Sequence, residues 1–345
     1  MLRIGLAGVG YLGSRHLKHL LEISGVELAG IWDNSPAVRE KVQSEFGIPV
    51  AKNFSALLDR SEAIVLVTPT STHHELGMQV VSAGLPLFVE KPICAGFQEG
   101  AELVELAEEK GVMIQVGHIE RFNRAFRALQ TIQGESDRLV LPGQIPLASH
   151  TVKVRPRFIE AHRLAPWAGR GVDVAVVYDL MIHDLDLILS LVQSKISAVH
   201  ASGVGVVTNS VDIANARIEF ENGAVANITA SRISLKRMRK IRIFGQQEYI
   251  ALDFNKGTCE YVGACGDEAS LPSGAEVLGA IGEGEHQVGL YRHFVEAPEG
   301  DAMRLELEAF RDAVVNGTPP PVTGVDGLKA LILADRIVQV INGKK

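Results

Sequence analysis

Two short segments carry side chains able to move protons. The first is Glu90-Lys91-Pro92, which follows the apolar run Leu85-Pro86-Leu87-Phe88-Val89. A lysine at the carboxyl end of a strand in an open α/β sheet stands where such sheets bind ligands. There it could polarise a hydroxyl oxygen; the plainer alternative is a surface lysine that follows a strand. A cis bond before Pro92 would aim Lys91 inward. The second segment is Tyr178-Asp179-Leu180-Met181-Ile182-His183-Asp184-Leu185-Asp186. Asp179, His183 and Asp186 recur at i, i+4 and i+7, so a helix would place them on one face. Most of their neighbours are apolar, so this polar row interrupts a buried helix, and buried polar groups need partners. An aspartate beside a histidine holds the imidazole's tautomer and raises its basicity, as a general base requires. A satisfied core histidine is one alternative, and a metal site is another. The metal site lacks a further ligand, because neither H-E-x-x-H nor a cysteine cluster is present.

These groups need a scaffold, and the N-terminus supplies its outline. The strand-like run Arg3-Ile4-Gly5-Leu6-Ala7 flows into Gly8-Val9-Gly10-Tyr11-Leu12-Gly13, a full G-x-G-x-x-G. A second apolar run, Val26 to Trp32, ends on Asp33, twenty residues after Gly13. Strand, glycine turn, helix, strand and terminal acid in this order are the dinucleotide-binding fingerprint. Gly8 permits the tight turn, Gly10 lets backbone N–H groups approach a pyrophosphate, and Gly13 lets the helix pack closely on the strand. The helix starting near Tyr11 and Leu12 points its N-terminal dipole at the phosphates. Asp33 can accept hydrogen bonds from both ribose hydroxyls and would repel a 2′-phosphate, so NAD is expected in preference to NADP. A glycine turn that binds nothing is the alternative.

Further strand and helix patterns continue this alternation through the first 120 residues. Ala63 to Thr68 is a fully apolar strand that stops at Pro69, and Thr70 to Glu75 opens a helix. Leu85 to Val89, the helix Glu99 to Lys110 with Gly111 as its stop, and Val112 to Gly117 follow. This alternation predicts a doubly wound parallel sheet. Beyond Gly117-His118 the texture changes. A helix is expected from about Asn123 to Gln130, then a loop from Gly134 to Pro146 and a long helix from Val177 to Val192. Between Ala198 and Phe254 strands alternate with turns, and Glu221-Asn222-Gly223 marks a hairpin. The expected fold is therefore α/β: a Rossmann domain over 1–120, then an α+β domain over 121–345 built on a large, mostly antiparallel open sheet. Residues 255–300 resist assignment. Ala302 to Val315 and Gly327 to Ile341 read as helices of the second domain.

Composition bounds the partners. The 345 residues carry a net charge of −7 and 46% hydrophobic residues, a soluble globular balance with no nucleic-acid partner expected. The basic stretch Arg232 to Arg242 is read as a hairpin with a solvated rim, since no aromatics interleave for base stacking. No run is long enough to span a bilayer, so no membrane partner is expected. The three cysteines, Cys94, Cys259 and Cys265, form no C-x-x-C pair and suit a reducing cytoplasm.

Across nearly its whole length the chain resembles the Gfo/Idh/MocA oxidoreductases. The resemblance rests on Gly8-x-Gly10-x-x-Gly13-x-x-His16, Thr68-Pro69 with His73 downstream, Glu90-Lys91-Pro92, and Asp179-x-x-x-His183. It implies that Thr68, Pro69, His73, Glu90 and Lys91 join the cofactor site, and that Lys91, His183 and Asp179 are catalytic. It also implies a homodimer or homotetramer formed through the second domain's sheet. Gly117 to Asn123 and Leu180 to Asp186 look most like the nucleotide-sugar branch, which includes UDP-N-acetylglucosamine 3-dehydrogenases. The implied activity is NAD-dependent oxidation of a sugar hydroxyl to a ketone. Lys153, Arg155, Arg157 and Arg163 cluster ahead of the Asp179 helix, and such cations suit a diphosphate. Arg121 and Asn123 are expected beside them at the substrate; ordinary surface charge is the alternative for the cluster. A dehydrogenase of a free polyol or hexose, and a sensor without turnover, are the rival readings.

Overall fold

A computed structural model of the chain describes residues 1–133, 154–167, 169, 174–246, 248–265, 271, 273–282 and 288–343. The expected loop from Gly134 to Pro146, and Lys153, lie outside the described residues. Two compact units result: Met1–Ile119 with Gly300–Asp335, and Glu120–Glu299 with Arg336–Lys345.

The first unit alternates strand and helix as its sequence pattern requires. β1 (Leu2–Ala7), α1 (Tyr11–Glu22), β2 (Val26–Trp32), α2 (Pro36–Phe46), α3 (Phe54–Leu58), β3 (Ala63–Leu66), α4 (His73–Ser82), β4 (Leu87–Glu90), α5 (Phe97–Lys110) and β5 (Ile114–Gly117) follow in order. The five strands are parallel, in the order β2-β1-β3-β4-β5. The chain therefore reverses direction of winding beside β1 and β3, and ligand crevices in such sheets open at the carboxyl ends there. β3, β4 and β5 are buried on both faces, which is why they read as continuous apolar runs.

The second unit begins at Glu120. It contains α6 (Arg124–Gln133), β6 (Phe158–Leu164), α7 (Ile182–Leu191), β7 (Ile196–Val204), β8 (Ile213–Phe220), β9 (Val225–Ser231), β10 (Met238–Phe244), β11 (Glu248–Asp253), β12 (Thr258–Cys265), β13 (Glu276–Ile281) and β14 (Val288–Val295). These strands form one nine-stranded sheet, ordered β13-β14-β12-β11-β10-β6-β9-β8-β7. Every neighbouring pair is antiparallel except β6 and β9. The Asn222-Gly223 hairpin joins β8 to β9 as expected. The basic stretch Arg232 to Arg242 is not a hairpin: β6 lies between β9 and β10, so the segment crosses over it. The unassigned stretch after residue 255 supplies β12, β13 and β14.

The last two helices, α8 (Ala302–Asn316) and α9 (Gly324–Ile341), complete the chain. The expected single boundary near 120 assigned them to the second domain, but Gly300–Asp335 belongs to the first unit. Met303, Leu307 and Phe310 of α8 join Ile4, Leu6, Leu17, Leu20, Ile31 and Phe88 in one apolar cluster. The Phe88 and Phe310 rings meet edge-on with centroids 5.8 Å apart. Helical periodicity reveals an apolar stripe on α8 but not the surface that it covers.

Phe310→Ala should therefore destabilise the first unit, by about 3–5 kcal/mol for a fully buried aromatic. Denaturant unfolding followed by the fluorescence of Trp32, on β2, should show the lowered midpoint. An unchanged Trp32 transition would return α8 to the second unit.

Candidate active site

The glycine turn is shaped by sterics. Gly8 has φ +85°, and a Cβ on it would lie 2.6 Å from the Val67 carbonyl oxygen. A Cβ on Gly13 would lie 2.0 Å from the Gly8 carbonyl oxygen, so α1 packs against the turn only because both positions are glycine. A Cβ on Gly10 would meet nothing within 4 Å, so this backbone faces open space. Gly10 caps α1 without a side-chain hydrogen bond. Tyr11 is exposed and Leu12 half-buried beside it. At the end of β2 the Asp33 carboxylate accepts from Val9 N–H at 2.9 Å and from Ser35 N–H at 2.9 Å. Two of its acceptor positions are thereby occupied, and a carboxylate has about four. Its charge is thus fastened to the glycine turn.

The Lys91 turn is held from both sides by buried histidines. His16 Nε2 lies 2.8 Å from Glu90 Oε1, and Glu90 Oε2 accepts the Lys91 backbone N–H at 3.1 Å. Burial opposes ionisation of Glu90. The His16 hydrogen bond and the charges of His16 and Lys91 outweigh it and hold the carboxyl below its ordinary range. The Lys91–Pro92 bond is cis. His73 Nδ1 lies 3.0 Å from the Pro92 carbonyl oxygen and its Nε2 lies 2.9 Å from that of Thr68. Burial keeps the His73 imidazole below its ordinary range, against the pull of those two carbonyls. A neutral ring donates to one of them at a time. His73, expected among the cofactor ligands, is instead 1% exposed and ties the end of β3 to the turn after β4. Thr72 Oγ1 donates to Thr68 Oγ1 at 2.8 Å, which holds Thr68 beside the exposed Pro69.

In the second unit the expected long helix starts with a π-helical turn, Val177–Met181, and continues as α7. Val176, Val177, Met181 and Ile182 are buried, whereas Tyr178, Asp179, Leu180 and His183 are half-exposed. Asp179 and His183 are thus both partly accessible on a helix whose other residues are mostly buried. Asp186 is not: it is 1% exposed and takes both Nε and Nη2 of Arg121, at 2.7 and 2.8 Å. The π turn ends before Ile182, so His183 and Asp186 keep regular α-helical spacing, about 60° apart around the axis, and the Asp186 side of α7 is the one turned to Arg121.

Comparison with known proteins gives this arrangement its class. A family profile described as an oxidoreductase family with an NAD-binding Rossmann fold matches residues 2–118. The Gfo/Idh/MocA C-terminal domain matches residues 151–251. UDP-N-acetylglucosamine 3-dehydrogenase of Acidithiobacillus ferrooxidans is 32% identical over 334 residues, covering 96% of this chain and 95% of the relative. The chain belongs to the Gfo/Idh/MocA oxidoreductase family. The solved structure of the Acidithiobacillus ferrooxidans enzyme superposes with a TM-score of 0.82 at 30% identity, over 99% of this chain and 98% of that one. The scyllo-inositol 2-dehydrogenase (NAD(+)) of Bacillus subtilis is 27% identical over 338 residues, covering 94% of this chain and 90% of the relative.

The first unit is accordingly the family's NAD-binding domain, and its residues fit that cofactor. The open backbone at Gly10, the α1 N-terminus without a side-chain cap and the anchored Asp33 are the features a dinucleotide needs. The expected substrate cations fare differently. Arg163 is 2% exposed, with Nε and Nη2 on Asp184 at 2.9 and 2.8 Å and Nη1 on Glu120 at 2.6 Å. Burial works against its charge, but the two carboxylates outweigh that and hold its pKa above the usual arginine range. Asn123 donates to Glu120 Oε2 and the Phe254 carbonyl, both at 3.1 Å, and its Oδ1 caps α6 through Ala125 N–H at 3.0 Å. Arg163, Arg121 and Asn123 are therefore engaged inside the second unit, while Arg155 and Arg157 are exposed. The period-2 pattern of β6 held the missed signal: Ile159, Ala161 and Arg163 alternate on its buried side. Glu120 and Asp184, the carboxylates that make this burial possible, carry no local sequence signal of that pairing.

Asp33 is expected to set the cofactor preference. NAD should bind much more tightly than NADP, because a fixed carboxylate facing a 2′-phosphate is a like-charge clash. Asp33→Ser combined with Asn34→Arg should narrow or reverse the preference in a cofactor titration. Equal affinities in the parent protein would remove Asp33 from this role.

Proposed function

We propose that this enzyme oxidises the C3 hydroxyl of a UDP-N-acetylhexosamine to a ketone, using His183 and Lys91. The observation that carries the chemistry is that Asp179 and His183, four residues apart, are both partly accessible on a mostly buried helix. His183 takes the hydroxyl proton as general base. Lys91 stabilises the negative charge developing on the same oxygen, and Asp179 holds one of these two groups in position. NAD, when bound, supplies the hydride acceptor. Gly8, Gly10, Tyr11, Leu12, Gly13, Asp33, Thr68 and Pro69 would hold it, with Glu90 and His73 shaping the Lys91 turn.

The substrate assignment draws on the similarity to the Acidithiobacillus ferrooxidans enzyme, which extends through both units. Of the expected cation cluster, Arg155 and Arg157 are exposed and could meet a diphosphate. A free polyol is the second reading. It gains weight from the internal engagement of Arg121 and Arg163, and from the inositol dehydrogenase relatives. Assembly as a homodimer or homotetramer through the nine-stranded sheet fits the exposure of Phe244 and Phe294 on its strands. The same reading places the enzyme in a reducing cytoplasm, where the buried thiols of Cys94 and Cys259 stay free. Among the described residues no helix is long and apolar enough to cross a membrane.

His183→Ala should lower kcat by a factor on the order of 10² or more. Lys91→Ala should likewise lower kcat far more than it weakens NAD binding. Steady-state rates with UDP-N-acetylglucosamine, paired with a direct NAD titration, check both; normal turnover in either variant removes that residue from the mechanism.

UDP alone should compete with the sugar substrate, and the competition should weaken as salt rises. If millimolar UDP does not compete while myo-inositol is oxidised efficiently, the polyol reading replaces the nucleotide-sugar one.

A further inference from the structure

We propose that Arg121 and Arg163 are positioning residues that fix the rotation and register of the helix carrying His183. The inference rests on His183 being the proton acceptor, and concerns how the second unit aims it.

Two guanidinium forks grip α7 close to His183. Arg163 holds the Asp184 carboxylate through two nitrogens at 2.9 and 2.8 Å, and Arg121 holds that of Asp186 through two at 2.7 and 2.8 Å. Successive residues of an α-helix are about 100° apart around its axis. Asp184 therefore stands about 100° to one side of His183 and Asp186 about 60° to the other, so the forks straddle it. A paired fork fixes a plane as well as a distance. Any turn of the helix that swings His183 sideways strains both forks together.

The backbone ahead of His183 gives a practical reason for such a device. Val177–Met181 is π-helical, a rare turn that offsets the α-helix after it from the chain before it, so the rotation of that helix needs its own anchors. The approach to it is tied down as well. Val176 N–H donates to the Val211 carbonyl at 2.9 Å, and the Arg232 guanidinium donates to the Val174 carbonyl with Asp212 3.6 Å behind it. Both forks also reach one short turn, Ile119–Phe122: Arg121 belongs to it, and Glu120 beside it takes Arg163 Nη1 at 2.6 Å. Arg163 itself stands on β6, in the middle of the nine-stranded sheet. The helix is thus referenced to the sheet and the turn at once.

Stability alone does not account for the choice of residues. A buried ion network contributes little beyond what well-packed apolar side chains of the same volume would, because desolvation offsets its attraction. What apolar packing lacks is direction, and the forks supply it.

Arg121→Lys is the main test, since it keeps the charge, loses the fork, and alters a side chain that retains 12% exposure. With UDP-N-acetylglucosamine and NAD, kcat should fall about tenfold or more, while KM and NAD affinity stay within about twofold. In histidine-labelled protein, the His183 ring resonance, assigned by its loss in His183→Gln, should shift and its titration midpoint move. Added to His183→Gln, Arg121→Lys should cost little further turnover, because it acts through His183. Asp186→Asn gives a second variant with the same expected signature. Full kcat with an unmoved His183 resonance in both variants overturns the proposal, as does a lowered melting temperature that leaves both unchanged. Normal turnover in His183→Gln instead overturns the proton-acceptor role, and the resonance still reports on the forks. If the parent does not oxidise this sugar, the substrate reading fails while the resonance still decides the positioning role.

Discussion

A carboxylate taken out of water must find donors, and the donors that Glu90 finds set the geometry of the Lys91 turn. One oxygen meets the His16 ring; the other accepts the Lys91 backbone N–H. His16 lies on the first helix after the glycine turn, so the lysine is fixed relative to the element that receives the dinucleotide phosphates. His73 secures the other side through the carbonyls of Pro92 and Thr68. A flexible side chain is thereby mounted on a backbone with little freedom, which is the condition for effective orientation in catalysis.

The second unit meets the same constraint with more charges. Glu120, Arg163 and Asp184 are all buried, and Arg239 approaches Glu120 at 3.5 Å, so two cations offset two anions. Each charge would be costly alone, and removing one member would leave its partner unpaired in a low-dielectric interior. The network belongs to the sheet, the turn at Ile119–Phe122 and α7, which makes it a common frame for three elements distant in sequence.

The first unit shows a different dependence. Its core is closed by α8, supplied from the far end of the chain. A cofactor domain that relies on residues after Gly300 cannot be complete until nearly the whole chain is made. This ties the integrity of the NAD site to a helix with no residue in it.

The residues themselves determined the parallel sheet, the glycine turn, the acid at the end of β2 and the hairpin at Asn222-Gly223. Each follows from local rules: strand burial on both faces, backbone space at glycine, and turn preference. The E-K-P and D-x-x-x-H spacings also single out Lys91, Asp179 and His183, the residues proposed for the chemistry. Only the tertiary structure decided which charged residues face solvent and which are spent inside. Arg163 reads as a substrate ligand because it stands in a run of cations, and Arg121 because its segment leaves the last strand of the first domain, yet their partners Asp184 and Asp186 lie elsewhere in the chain. The same holds for α8, whose apolar stripe is visible in sequence while its seat is not. Pairing of charge and matching of surfaces are settled by distances between segments, and no local pattern encodes them.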